Sequence, residues 1–328
     1  MKVWANIARP FTYLAPMLAA ALTCSSADAQ SQPAQQLHFI CAYPAGSSSD
    51  SIVRFIAEKV RPQVGGVILV ENKPGANGNL ATEFLARSKP DGRTILIHAG
   101  SALAANMHLF KNPPVDVATA IQVAGTINRQ AFMLGVDPGT PWKSLAELTA
   151  AMREKGDKAS YATYAATATI MGELYKRATG IRATEVTYRI GADTLNDLRS
   201  GALDYGIYDP PFAMGQARNG KLRLLAVGVK DRLNAAPDIP TMQEQGIPDV
   251  DLSGWFAAMV PSATPKQIVD QISNWLAEAV RLEATKQFLN GFGSDPLIST
   301  PEEGQARLIR DIRDWGVYVR MAKIVPQG

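Results

Sequence analysis

Short apolar runs alternate with longer amphipathic stretches along most of the chain. Residues 37–42 read as a strand, 51–60 as a helix, 67–70 as a strand, 80–87 as a helix and 94–98 as a strand. In the first helical stretch Ile52, Val53, Phe55, Ile56 and Val60 fall on one face, which predicts a helix packed on a sheet with Arg54, Glu58 and Lys59 in water. The rhythm resumes after Asn128, with strands at 132–136, 159–163, 185–188 and 204–208 and helices at 144–153 and 170–177, the first of these helices capped by Ser144. Another strand is expected at 222–229. Pro237, Pro240, Pro248 and Pro261 then break the chain into short pieces before two closing helices, 265–282 and 301–323. Continuous apolar strands alternating with helices predict an α/β fold whose sheets are parallel in large part.

Length divides this pattern. Single cores stop growing near about 250 to 300 residues, so the chain is expected to form two lobes: a first over 30–128, completed by 230–328, and a second over 129–229. Residues 1–29 read as a secretory signal peptide, with Lys2 and Arg9 as the charged start, an apolar stretch over 11–22 and Ala27-Asp28-Ala29 as a small-x-small cleavage site. Cys24 matches a lipoprotein signal poorly. Cleavage would leave Cys41 without an intramolecular partner, so no disulfide is expected and Cys41 reads as a small hydrophobe in a buried strand. No later stretch offers the roughly 20 consecutive apolar residues of a spanning helix. The formal charge of +3 comes with no Lys/Arg stripe, which excludes nucleic acid as the partner.

The candidate chemistry gathers in one loop. Tyr43-Pro44-Ala45-Gly46-Ser47-Ser48-Ser49-Asp50 lies between the first strand and the first helix, where backbone N–H groups and the helix N-terminus form a natural anion seat. Ser49 or Asp50 would cap that helix, and a carboxylate is the simplest guest. Catalysis finds no comparable assembly. His38, His98 and His108 show no zinc spacing, no Gly-x-Ser-x-Gly elbow is present, and Gly75-x-x-Gly78 lacks the rest of a dinucleotide fingerprint. No enzyme activity, metal or cofactor is therefore expected.

Further along, the loop is followed by Val70-Glu71-Asn72-Lys73-Pro74-Gly75-Ala76-Asn77-Gly78 and Lys89-Pro90-Asp91-Gly92-Arg93-Thr94, then by Pro237-Asp238-Ile239-Pro240-Thr241, Gly254-Trp255-Phe256 and Pro261-Ser262-Ala263-Thr264-Pro265. In this order the chain resembles the Bug or TctC-like family of tripartite tricarboxylate transporter substrate-binding proteins. The resemblance implies a two-lobed, type II-like periplasmic binding protein that closes on an organic acid and hands it to membrane transporter subunits. It implies ligand contacts from Tyr43, Ala45, Gly46, Ser47, Ser48, Ser49 and Asp50 in the first loop, with Ser47 and Ser48 standing where the family has glycines. A second loop contributes His98, Gly100 and Ser101. In the second lobe the corresponding loop carries Thr163, Tyr164 and Thr167 and has lost the family's glycines. Tyr188 and Arg189 occupy an aromatic-lysine position of the family, and Asp209 an aspartate position. His98 is open to a structural role, Arg189 to a surface ion pair, and Asp209 to capping the turn before Pro210. The ring surface of Tyr43, Tyr164, Tyr188 and Tyr208 favours a dicarboxylate, with aromatic acids such as terephthalate included, over a tricarboxylate or an acidic amino acid. A monomer is expected. The alternative reading is a sensor that presents the bound acid to a membrane sensor kinase.

Overall fold

The computed structural model describes residues 36–328 apart from Asp249. The expected signal peptide and Cys24 lie outside the described residues. The chain begins with β1 (Leu37–Cys41), α1 (Ser48–Val64), β2 (Ile68–Asn72), α2 (Asn79–Ala86), β3 (Thr94–Ala99) and α3 (Gly100–Leu109). A short α4 (Val117–Ala120) leads into β4 (Ile121–Gln130). Then follow β5 (Met133–Val136), α5 (Leu145–Lys155), β6 (Ser160–Thr163), α6 (Ala166–Thr179), β7 (Thr184–Thr187), α7 (Thr194–Ser200), β8 (Tyr205–Tyr208), α8 (Pro210–Arg218) and β9 (Arg223–Val227). The chain closes with β10 (Gly254–Pro261), α9 (Lys266–Arg281), α10 (Glu283–Gly291), β11 (Ser294–Pro296) and α11 (Pro301–Met321).

Among the described residues the strands form two sheets, in the orders β11-β4-β10-β3-β1-β2 and β7-β6-β8-β5-β9. The alternation of side chains along β1 explains how the first sheet is covered. Leu37, Phe39 and Cys41 join Ile52, Val53 and Ile56 of α1 in one apolar cluster, while Ile40 joins Leu85 of α2 and Leu103 of α3 in another. With both faces buried, the strand reads as one continuous apolar run. Phe55 departs from the expected helix face: it stacks on Phe288 of α10, with ring centroids 3.9 Å apart.

Both sheets are mixed. Among the named strands of the described residues, parallel pairing joins β1 with β2 and β3, and β6 with β7 and β8. The returning β10 runs antiparallel between β3 and β4 in the middle of the first sheet. It was hidden by the prolines around it, and once covered on both faces a central antiparallel strand carries the same unbroken apolar pattern as a parallel one. Two connections pass between the sheets, Ala131-Phe132 between β4 and β5, and the long segment between β9 and β10.

Candidate ligand-binding site

The first strand-to-helix loop is built around a buried carboxylate. Asp50 accepts from Arg54 Nε at 2.9 Å, from Asn72 Nδ2 at 2.8 Å and from the Gly46 amide at 2.9 Å. Asn72 Nδ2 also donates to the Tyr43 carbonyl at 2.9 Å, tying both ends of the loop to β2. Burial works against the charged form, but hydrogen bonds from Arg54, Asn72 and Gly46 hold the Asp50 carboxyl below its usual range. The cap of α1 is Ser47, whose hydroxyl accepts from the Asp50 amide at 3.1 Å, two or three positions before the caps expected from sequence. Asp50 and Ser47 therefore shape the loop, while the Ser48 and Ser49 amides, at the start of α1, have no intrahelical acceptor. Ala45 and Gly46 are exposed on the loop.

Three helix N-termini converge on one cavity of about 480 Å³. Ser49 comes from α1, Ser101 and Ala102 from α3, and Ala165, Ala166 and Thr167 from the start of α6. Neither α3 nor α6 has a side-chain cap, so their first amides are left for a guest. The hydroxyls of Ser49, Ser101 and Thr167 are engaged by no other described residue. Gly100 is needed beneath this seat, since a Cβ there would come within 2.2 Å of the Trp255 ring. Tyr43, Phe132 and Phe256 supply ring surface, and Gln130, Ser253 and Gly254 come from the crossing segments.

Other expected contacts sit elsewhere. His98 is buried behind Tyr43, its ring edge-on to the tyrosine at 5.1 Å, and it does not line the cavity. Burial holds it neutral, lowered to about 4, with the Asn77 carbonyl opposing the shift. A Cβ at Gly78 would fall 2.1 Å from His98 Nε2, so glycine there makes room for the ring. Thr163 is fully buried, and its hydroxyl donates to Glu185 at 2.5 Å, as does that of Thr169. Tyr188 donates to Asp197, and Tyr208 is buried with its hydroxyl 2.9 Å from that of Thr194. Of the four tyrosines read from sequence Tyr43 lines this cavity, joined there by Phe132 and Phe256, while Tyr164, Tyr188 and Tyr208 do not line it.

Asp209 borders the cavity while capping α8 through the Phe212 amide at 3.2 Å and accepting from the Tyr164 hydroxyl. Tyr164 in turn accepts from the Asp209 amide at 2.8 Å, and burial followed by the Asp209 charge pushes its phenol far up. This pair separates the cavity from an open groove that holds Ser48, Tyr164 and Arg189. Sequence reasoning missed the far wall altogether. Arg307, Arg310, Asp311, Asp314, Trp315 and Tyr318 of α11 face the cavity, at spacings that read in sequence as an ordinary solvated helix face. Trp255 Nε1 donates to Asp311 at 2.6 Å, and burial pushes that carboxyl up to about 6 against the pull of Trp255, Arg307 and Arg310.

Residues 52–320 match the family model of the tripartite tricarboxylate transporter family receptor, TctC. The chain belongs to this family. Among curated relatives, this receptor is 28% identical to protein BugT of Bordetella pertussis over 318 residues, 96% of this chain and 98% of the other. Among solved structures it is similar to R. palustris Rpa4515 with adipate, at 26% identity and a TM-score of 0.77 over 90% of this chain and 99% of that one. Periplasmic binding protein BugD follows, at 26% identity and a TM-score of 0.74 over 90% and 100%. The family and these neighbours are solute-binding proteins. Among the described residues of the receptor, no helix is long and apolar enough to cross a membrane.

Proposed function

We propose that this TctC-family receptor is exported to the periplasm through cleavage after residue 29, where it captures a small organic dicarboxylate as a monomer and delivers it unchanged to the membrane subunits of a tripartite tricarboxylate-type transporter. Residues 30–128 with 230–328 and residues 129–229 act as the two lobes that close on the acid. The observation that carries this reading is the meeting of three helix N-termini, two of them without side-chain caps, in a single cavity. Each terminus carries roughly half a positive charge and several unused N–H donors, which suits a carboxylate better than any neutral solute. The adipate bound by Rpa4515 supports a diacid. Tyr43, Phe132 and Phe256 offer ring surface for an aromatic acid such as terephthalate.

Thermal unfolding of residues 30–328, refolded to strip carried-over ligand and screened against aliphatic, aromatic and amino acids, tests the reading. Ligand at a hundred times its dissociation constant should add about 2.7 kcal/mol of stability. A shift confined to dicarboxylates is the expected result. Stabilisation by neutral solutes alone would defeat it.

A further inference from the structure

The cavity extends beyond the three helix starts to α11, and the wall it meets there has unused donors. Arg307 is half-buried, yet neither it nor Arg310 makes a hydrogen bond or ion pair with any described residue. A guanidinium carries five N–H donors, and one facing a cavity with none of them engaged is built to meet something from outside the chain. The carboxylates nearby do not take that role. Asp311 is held by Trp255 at 2.6 Å, Asp314 pairs with Arg313 at 3.0 Å, Asp209 serves Tyr164 and the start of α8, and Asp251 is exposed at the rim. These acids leave the wall with no general attraction for anions, so an anion gains there only by direct contact with a guanidinium. Between the helix starts and this wall α3 lines the cavity with Ala102, Ala105, Asn106 and Leu109, and the Asn106 side-chain N–H groups are taken up by the Asn77 carbonyl and by Asn79.

We propose that Arg307, backed by Arg310 at the rim, is a second anion subsite that binds the ligand's other carboxylate and makes the receptor selective for diacids over monoacids of the same length. This rests on the carboxylate-binding reading and adds the residue that counts the second charge.

The test is titration calorimetry of the wild type, Arg307→Gln and Arg307→Lys with two matched pairs, adipate against hexanoate and terephthalate against benzoate. A charge-assisted contact of this kind predicts that the wild type prefers one diacid over its partner by about 10- to 100-fold. Arg307→Gln should remove most of that preference, leave the monoacid within about twofold, and melt close to the wild type, because Arg307 has no hydrogen bond or ion pair to lose and acts on Asp311 only through its charge. Arg307→Lys should recover part of the preference. Equal affinity of the wild type for both members in each pair that binds, or equal losses for diacid and monoacid in Arg307→Gln, would overturn the subsite and leave the broader reading intact. Binding of none of the four acids, in a wild type that binds neutral solutes instead, would overturn both.

Discussion

The two lobes offer the ligand helix N-termini of very different construction. At the start of α1 the loop is held from within by Asp50, Asn72, Arg54 and the Gly46 amide, and the helix has its own cap in Ser47. At the start of α6 there is no side-chain cap, the threonines flanking the loop donate to Glu185, and Tyr164 and Asp209 exchange hydrogen bonds. One side is therefore held by its own buried carboxylate and a serine cap, while the other leaves its helix start uncapped. Where the resemblance implies glycines, Ala165 and Ala166 line the cavity.

The strongest way to break this comparison is to place a charge in each seat. Ser49→Asp should weaken carboxylate binding by about a thousandfold through like-charge repulsion, with melting unchanged or slightly raised by the α1 N-terminus. Thr167→Asp measured in the same titration decides whether the second seat grips as hard; a much smaller loss would show that α1 dominates. Next, Asp50→Ala strands Asn72 and Arg54 and should cost about 3 kcal/mol in urea unfolding, whereas a loss near zero would mean that the first loop is not held by its carboxylate.

The pH dependence probes the ground behind Tyr43. His98 is lowered to about 4 from its ordinary 6.5, so the unfolded chain binds a proton that the native state refuses. Its contribution is fully present above about pH 6.5 and is lost as pH falls toward 4, by about 3 kcal/mol. Asp311, raised to about 6, acts in the opposite sense: the native state keeps a proton that the unfolded chain gives up, so stability falls as pH rises from about 4 to 6. Urea midpoints across this window should steepen with pH in Asp311→Asn and decline with pH in His98→Gln. The smallest effect is expected from Tyr164→Phe, about 1 kcal/mol of stability with a measurable loss of affinity, since it removes the hydrogen bonds that Tyr164 exchanges with Asp209.

Much of the fold was legible because strand and helix periods differ. The runs at 37–42, 94–98 and 204–208 lie within a residue or so of β1, β3 and β8, and the helices at 144–153 and 301–323 match α5 and α11 closely. β4 and β10 were not read, although they are adjacent inner strands of the first sheet, because β4 mixes polar and apolar residues and β10 is framed by turn-forming segments. Within the site, Tyr43, Ser49, Ser101, Thr167 and Asp209 do reach the cavity. Thr163, Tyr188 and His98 do not, since a strand end places one side chain toward the cleft and the next into the lobe, and one residue of register decides which.

The sequence by itself determined the local chemistry: a serine-rich turn ahead of an amphipathic helix, glycines where rings press close, and an alternation of elements that admits few architectures. These follow from short-range sterics and periodicity, which neighbouring residues settle among themselves. The tertiary structure alone decided which serine caps and which faces a guest, which tyrosines line the cavity and which are sealed in the core, and that α11, from the far end of the chain, closes the same cavity as the first loop. Those outcomes depend on long-range packing. A hydroxyl, an imidazole or a guanidinium has no fixed role until the fold sets how deeply it is buried and what lies within hydrogen-bonding distance.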